Sequence, residues 1–281
     1  MKKHLKPLLT GVAITLIMAL VMLKITMNFQ ILLLFGAVVF FAGGRINSNN
    51  KNHYLIITIL ITVFYLALFI FIVLKEIPEL WYFVLIYFAA TLLGTLYKDY
   101  KSKATFSLLT LSIIMMFLVI KIIPNALENS LTKTRFDPIP QFSIPHMSGK
   151  VIHSESLKGK VVILDFFGTW CKPCIQELKE LDKVKMAFKE SDDVVFYIIN
   201  ADLGGDTPEK FKGFIEKNNY NFQFGYDHDS KIYKLLGLQQ SGLPALLIID
   251  KDQNIRLQHI GYNAAETNFT KSMIEFINTI K

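Results

Sequence analysis

The fold is decided by residues 161–174, which read VVILDFFGTWCKPC. Val161–Phe167 is almost continuously apolar, which is typical of a strand buried on both faces of a sheet. The strand leads to Cys171 and Cys174, the only two cysteines in the chain, with Lys172-Pro173 between them. At the start of a helix this spacing satisfies the Cα separation of about 4.4–6.8 Å that a disulfide requires. The stretch therefore predicts an α/β fold with a reversible cysteine pair.

The helix that follows the motif gives the two sulfurs different chemistry. Apolar residues recur at helical spacing from Ile175 to Phe188, and Pro173 suits a first turn, so an amphipathic helix is expected there. A thiolate at a helix N-terminus has its pKa lowered from about 8.5 to as low as about 3.5. We therefore expect Cys171 to be the nucleophile and Cys174, on the buried side, to be the resolving thiol.

Two carboxyl groups stand where they can take the proton of the resolving thiol. Asp165 lies inside the apolar strand, where an unpaired carboxylate is costly, so its pKa is expected to rise towards the range useful for acid–base catalysis. The alternative is an aspartate at the strand end that faces solvent. Glu177 follows Cys174 by three residues, which puts both on one helical face. For Glu177 the open alternative is a solvated helix glutamate.

Other interpretations of the cysteine pair have less support. A structural zinc site needs two further Cys or His ligands, and His146, His153, His228 and His259 form no paired motif, so no metal is expected. An inert disulfide across so short a loop would stabilise the fold little. A thiol peroxidase stays an alternative, although Thr169 is at the wrong offset for a Pro-x-x-x-Thr-x-x-Cys arrangement. No cofactor beyond the cysteine pair is expected.

Several segments besides the cysteine motif match one known family. They are residues 142–145 (FSIP), 149–150 (GK), 157–160 (LKGK), 166–174 (FFGTWCKPC) and 242–250 (GLPALLIID). On these residues the chain from about 136 to 281 resembles the TlpA/ResA-like branch of the thioredoxin superfamily, the membrane-tethered disulfide reductases of bacteria. The resemblance implies a thioredoxin fold with Cys171 and Cys174 as the redox pair. Glu177 would be the glutamate that often follows the second cysteine.

The resemblance also implies where substrate binds. Pro244 would be a cis-proline facing the disulfide, which lets the backbone of Leu243 pair with a substrate strand. Phe167 replaces a frequent Trp and Ala245 a frequent Thr, so substrate contacts are expected to differ in detail. The expected substrate-binding residues are Trp170, Lys172, Pro173, Leu243 and Pro244.

The rest of the C-terminal half alternates strands with helices, which predicts a layered α/β domain. Strands are expected at 193–200 and 222–226, and a hairpin at 245–250 and 254–260. Helices are expected after Thr207-Pro208, at about 231–236, and at 264–280.

Residues 1–123 have a different composition, with five apolar stretches near 8–23, 29–43, 54–74, 80–97 and 104–123. A membrane-spanning helix needs about 20 residues, so we predict an α-helical transmembrane bundle of about five spans, with four as the fallback. It is followed by an α/β thioredoxin-fold domain at 142–281. Residues 124–141 are rich in Pro, Asn, Ser and Thr, which indicates a linker or, as far as Leu131, a continuation of the fifth span.

The net charge of +7 comes from the membrane half, where residues 1–123 hold 11 Lys and Arg against 3 Asp and Glu. The C-terminal half is nearly neutral, which offers no support for nucleic-acid binding. Basic residues border alternate turns of the bundle, so the positive-inside rule predicts a cytoplasmic N-terminus. Five spans would then place the thioredoxin-like domain outside the cytoplasm. The expected location is the bacterial plasma membrane, as a multi-pass protein.

The spans contain no cysteine and almost no ionisable residue away from their ends, so we expect a lipid-embedded anchor or partner-docking bundle. The function expected is that of an extracytoplasmic thiol-disulfide oxidoreductase acting on protein thiols and disulfides. The resemblance implies a reductase kept reduced by a separate transmembrane electron donor. The alternative from another class is a membrane binding or assembly protein whose thioredoxin-like domain docks client peptides at Pro244.

Overall fold

The structure is a computed structural model and describes residues 2–48, 53–218 and 220–281. The chain divides into two compact units. One comprises residues up to Ser130 together with Asn263–Glu266, and the other comprises Leu131–Tyr262 with Thr267–Lys281.

The N-terminal unit is helical. Its helices are α1 (Lys2–Leu20), α2 (Phe29–Ile46), α3 (Tyr54–Glu76), α4 (Tyr82–Leu96), α5 (Lys101–Phe117) and α6 (Ile123–Leu131). A π-helical turn, Val21–Ile25, extends α1, and another, Leu118–Ile122, joins α5 to α6. Within the described residues, five helical segments are long and apolar enough to cross a membrane, judged by length and composition. Five is the number that the sequence predicts.

Helices α2 and α4 approach so closely that their crossing requires glycine on both sides. A Cβ atom on Gly44 would lie 2.2 Å from the carbonyl oxygen of Thr91, and one on Gly94 would lie 2.2 Å from that of Phe41. Contacts of this length exclude any side chain, so small residues set the distance between the helix axes, as is common in membrane proteins.

The C-terminal unit contains eight strands and four helices among its described residues. The strands are β1 (Thr132–Pro138), β2 (Ser143–Pro145), β3 (Val151–His153), β4 (Val161–Phe167), β5 (Val194–Asn200), β6 (Gln223–Tyr226), β7 (Ala245–Ile249) and β8 (Asn254–Ile260). The helices are α7 (Lys172–Ala187), α8 (Pro208–Asn218), α9 (Lys231–Leu235) and α10 (Phe269–Ile280). Six strands form one sheet in the order β1-β8-β7-β4-β5-β6, while β2 and β3 form a separate hairpin.

The large sheet is mixed and covered on both faces. Strands β4, β5 and β6 run parallel, whereas β7 is antiparallel to β4 and β8 is antiparallel to β7. On one face, Leu178 of α7 and Met273 of α10 share a buried cluster with both cysteines. On the other face, Ile232 of α9 belongs to a second cluster. The result is a three-layer α/β/α domain with the thioredoxin fold.

The structure differs from the sequence-based expectations at two places. Residues 124–131 form most of α6, as in the alternative of a continued fifth span, whereas residues 132–138, expected as linker, form β1, which pairs with β8 from Thr132 opposite His259 onward. The last helix, expected from residue 264, begins at Phe269. Residues 263–266 form a turn instead, because the Asn263 side chain accepts a hydrogen bond from the Ala265 N–H at 3.0 Å.

Candidate active site

Cys171 and Cys174 are joined by a disulfide at the start of α7, with their Cα atoms 5.3 Å apart. Cys171 is the N-cap residue, and its sulfur accepts a hydrogen bond from the Cys174 N–H at 3.3 Å. Its side chain is 4% exposed, whereas that of Cys174 is fully buried. A thiolate at the Cys171 position would therefore face the positive end of the helix and accept a hydrogen bond from the Cys174 N–H, while Cys174 is shielded from solvent.

Strand register places a row of side chains across the sheet beneath this helix. Asp165 of β4 pairs with Leu246 of β7, Leu246 pairs with His259 of β8, and His259 pairs with Thr132 of β1. Residues directly opposite one another on neighbouring strands point to the same face. Leu246 belongs to the buried cluster that contains Cys174, so the Asp165 and His259 side chains both face α7.

Asp165 is fully buried, and neither of its carboxyl oxygens has a hydrogen-bond partner within the part of the chain that the structure describes. Burial raises its pKa to about 8, because an apolar environment disfavours the carboxylate. The expectation of a buried aspartate with a raised pKa is confirmed, and the alternative of a solvent-facing strand end is wrong.

Glu177 is also fully buried, so it is not a solvated helix residue. It lies one turn after Cys174 on α7, and its Oε1 is 4.0 Å from Nε2 of His259. His259 is fully buried as well, and burial lowers its pKa to about 3. Its Nδ1 lies 2.8 Å from the hydroxyl of Thr132. Two carboxyl groups and a neutral imidazole therefore share the buried face beneath the redox helix.

Sequence reasoning missed His259, because it was considered only as a metal ligand. A usable signal was the spacing within β8, where the apolar Leu257 and His259 are two residues apart and so share a strand face. Among the described residues, no group of three or more His, Cys, Asp or Glu side chains could hold a metal ion.

The residues expected to bind substrate lie around the disulfide but differ in exposure. The peptide bond between Leu243 and Pro244 is cis, as the resemblance implies. Ala245, the next residue, pairs with Phe166 near the end of β4, which brings Pro244 to the end of the sheet where the cysteine motif begins. Trp170 is 55% exposed. Lys172 is exposed, and Pro173 and Leu243 are half-buried.

Comparisons with known proteins give matches for the C-terminal half of the chain. Residues 136–258 match a family model described as the AhpC/TSA family. The thiol-disulfide oxidoreductase ResA of Bacillus anthracis is 34% identical over 127 residues, covering 45% of this chain and 70% of that protein. ResA of Bacillus subtilis is 29% identical over 143 residues, covering 50% of this chain and 73% of that protein.

Among solved structures, a putative thiol:disulfide interchange protein DsbE from Chlorobium tepidum covers 51% of this chain and 96% of its own, with a TM-score of 0.45 and 24% identity. The cysteine pair stands at a helix N-terminus, and the chain is 34% identical to ResA of Bacillus anthracis over 70% of that relative's length. The protein therefore belongs to the ResA family of thiol-disulfide oxidoreductases.

Proposed function

We propose that this protein is a membrane-anchored reductase of protein disulfides whose thioredoxin-like domain works outside the cytoplasm. The observation that carries the proposal is the arrangement at α7. Cys171 caps the helix, Cys174 is buried behind it, and Asp165 and Glu177 lie on the buried face. This gives one stabilised nucleophile, one shielded thiol and carboxyl groups able to receive its proton.

Reduction of a substrate then proceeds in two exchanges. The Cys171 thiolate attacks one sulfur of the substrate disulfide, forming a mixed disulfide and releasing the first substrate thiolate, which is protonated by solvent. Cys174 next transfers its proton to a carboxylate, either Glu177 or Asp165 in the ionised fraction that its raised pKa allows, and attacks the Cys171 sulfur. The Cys171–Cys174 disulfide forms and the second substrate thiolate leaves. The carboxyl group then gives up the Cys174 proton to the second thiolate, directly or through solvent. The substrate gains two electrons and two protons, one proton from solvent and one from Cys174, while the enzyme loses two electrons and the Cys174 proton.

The oxidised enzyme needs an external source of electrons. The sequence has no cysteine besides the active pair, so the transmembrane helices carry no thiols to relay electrons. The electron donor would be a separate membrane protein with a dithiol that faces the same compartment. Thiol-disulfide exchange with that dithiol would return Cys171 and Cys174 to the reduced state. The ResA resemblance supports the reductive direction.

Substituting Cys171 tests the proposed activity. With the full-length protein in detergent micelles, we expect Cys171→Ser to abolish catalysed reduction of insulin disulfides by dithiothreitol, because no other thiolate can attack first. Cys174→Ser should instead accumulate a mixed disulfide with the substrate, since its resolving thiol is missing. A Cys171→Ser variant that retains the wild-type rate would rule out the proposed mechanism.

The same variants separate the two alternatives. A client-docking protein would keep its cellular function in the Cys171→Ser variant, whereas a reductase would lose it. A thiol peroxidase would consume hydrogen peroxide faster in its reduced form than the Cys171→Ser variant does. We expect no such difference beyond the slow oxidation of an ordinary thiolate.

A further inference from the structure

The loop that follows β5 holds the Trp170 side chain in one orientation. The indole Nε1 of Trp170 donates a hydrogen bond to the Leu203 carbonyl at 2.7 Å. The indole ring also lies directly on Gly204, where a Cβ atom would come within 2.3–2.6 Å of three ring atoms. Gly204 has a φ of +69°. Both the backbone conformation and the ring contact therefore favour glycine at this position.

The same loop fixes the residue that precedes Trp170. Asp206 is 7% exposed, and its Oδ2 accepts hydrogen bonds from the Thr169 N–H at 2.7 Å and from the Asn200 side-chain amide at 2.8 Å. Its Oδ1 accepts a hydrogen bond from the Thr169 hydroxyl. The turn from β4 into the cysteine motif is thus attached to residues 200–206 through both Thr169 and Trp170.

These contacts fix the Trp170 indole in position but leave much of it exposed to solvent. The side chain is 55% exposed and comes directly before Cys171. Because Trp170 and Cys171 are consecutive residues, the part of a polypeptide next to a mixed disulfide at Cys171 can reach the indole. An aromatic group that is already fixed loses little conformational entropy when it receives an apolar side chain, which makes it an efficient contact.

We propose that the Ala201–Asp206 loop determines substrate specificity by positioning Trp170 to receive an apolar side chain next to the substrate disulfide. The inference rests on the proposed function and adds a distinction between substrates. Protein disulfides, which have neighbouring residues, use the Trp170 contact. Small disulfides do not reach beyond the sulfur atoms, so they are reduced independently of it. Gly204 and Asp206 act as positioning residues.

Adjacent glycines provide a matched pair of variants. Gly205 has a φ of +79°, close to that of Gly204, but a Cβ atom there would have nothing within 4 Å. Gly204→Ala and Gly205→Ala therefore introduce similar backbone strain, and only the first displaces Trp170. In the full-length protein, we would measure kcat/KM for insulin and for bis(2-hydroxyethyl) disulfide, a small disulfide without apolar side chains.

Gly204→Ala should lower kcat/KM for insulin about tenfold, mainly through KM, and change the value for the small disulfide less than about twofold. A tenfold change corresponds to about 1.4 kcal/mol, a size typical of one lost aromatic contact. Gly205→Ala should leave both values within about twofold. Acrylamide quenching of Trp170 fluorescence, in a Trp81→Phe background, should increase in Gly204→Ala only.

A double-variant comparison uses the ratio of kcat/KM for insulin to kcat/KM for the small disulfide, because partial unfolding of Gly204→Ala lowers both values equally and leaves their ratio unchanged. Trp170→Ala removes an exposed side chain and should reproduce the insulin-specific loss, and adding Gly204→Ala to it should cause no further loss. Additive losses, or equal losses for both substrates, would overturn the proposal. Failure of the proposed function looks different, because the wild-type protein would then reduce neither disulfide.

Discussion

Asp165 occupies a position where burial opposes ionisation. Its pKa is about 8 in the folded protein, against 3.8 for an exposed aspartate. The folded state therefore holds one more proton than the unfolded state between about pH 4 and pH 8. The contribution of the protonated Asp165 to the free energy of unfolding is therefore fully present below about pH 4 and is lost as the pH rises through about 8, where the buried group must ionise. The carboxyl group is kept despite this cost, which is consistent with its proposed role in proton transfer.

We expect Asp165→Asn to become more stabilising, relative to the wild type, as the pH rises from 4 to 9. The gain between these pH values should be at least about 1.4 kcal/mol, the equivalent of one pKa unit. Thermal unfolding of the full-length protein, followed by Trp170 fluorescence in a Trp81→Phe background, measures it. An equal stability difference at both pH values would show that Asp165 titrates normally.

Strand β1 completes the sheet and supplies the polar contact to His259. Its exposed side chains show no alternation of apolar and polar residues, and it lies at an edge of the sheet. Its pairing with β8 nevertheless places the Thr132 hydroxyl 2.8 Å from Nδ1 of a fully buried imidazole. Loss of that hydroxyl would leave a buried polar atom without this partner, which costs about 1–3 kcal/mol.

Thr132→Val should lower the free energy of unfolding by about 1–3 kcal/mol, because valine has nearly the same shape but no hydroxyl. Thr134→Val is the matched control, since Thr134 is an exposed threonine of the same strand, and it should change stability by less than about 0.5 kcal/mol. The same fluorescence melting experiment compares the two. Equal effects of both substitutions would mean that the Thr132–His259 contact does not stabilise the domain.

Patterns within single elements were readable from the sequence, but relations between distant elements were not. The buried β4, the helix after Cys171 and the hairpin of β7 and β8 each have a clear apolar period or turn residues. Strand β1 lacks such a signal, because an exposed edge strand needs no apolar face. The position of His259 beside Glu177 depends on the register of β8 and β7 against β4, which residue spacing along the chain does not reveal.

At the scale of the whole molecule, the two cysteines make the proposed orientation measurable. If the N-terminus is cytoplasmic and five helices cross the membrane, a membrane-impermeant maleimide should label reduced Cys171 in intact spheroplasts. In a cysteine-free background, Lys75→Cys should also be labelled, whereas Lys101→Cys should react only after lysis. Labelling of Lys101→Cys but not of Cys171 before lysis would reverse the orientation.

The central claim, that the Cys171–Cys174 pair works as a reductase, is tested most directly by its reduction potential. The full-length protein would be equilibrated with dithiothreitol and glutathione redox buffers, and the fraction of reduced cysteines would be measured by thiol alkylation. We expect a potential near or below the roughly −270 mV of thioredoxin, since a reductase must donate electrons to substrate disulfides. A value near the roughly −120 mV of a strong oxidant such as DsbA would contradict the claim and indicate that the protein introduces disulfides.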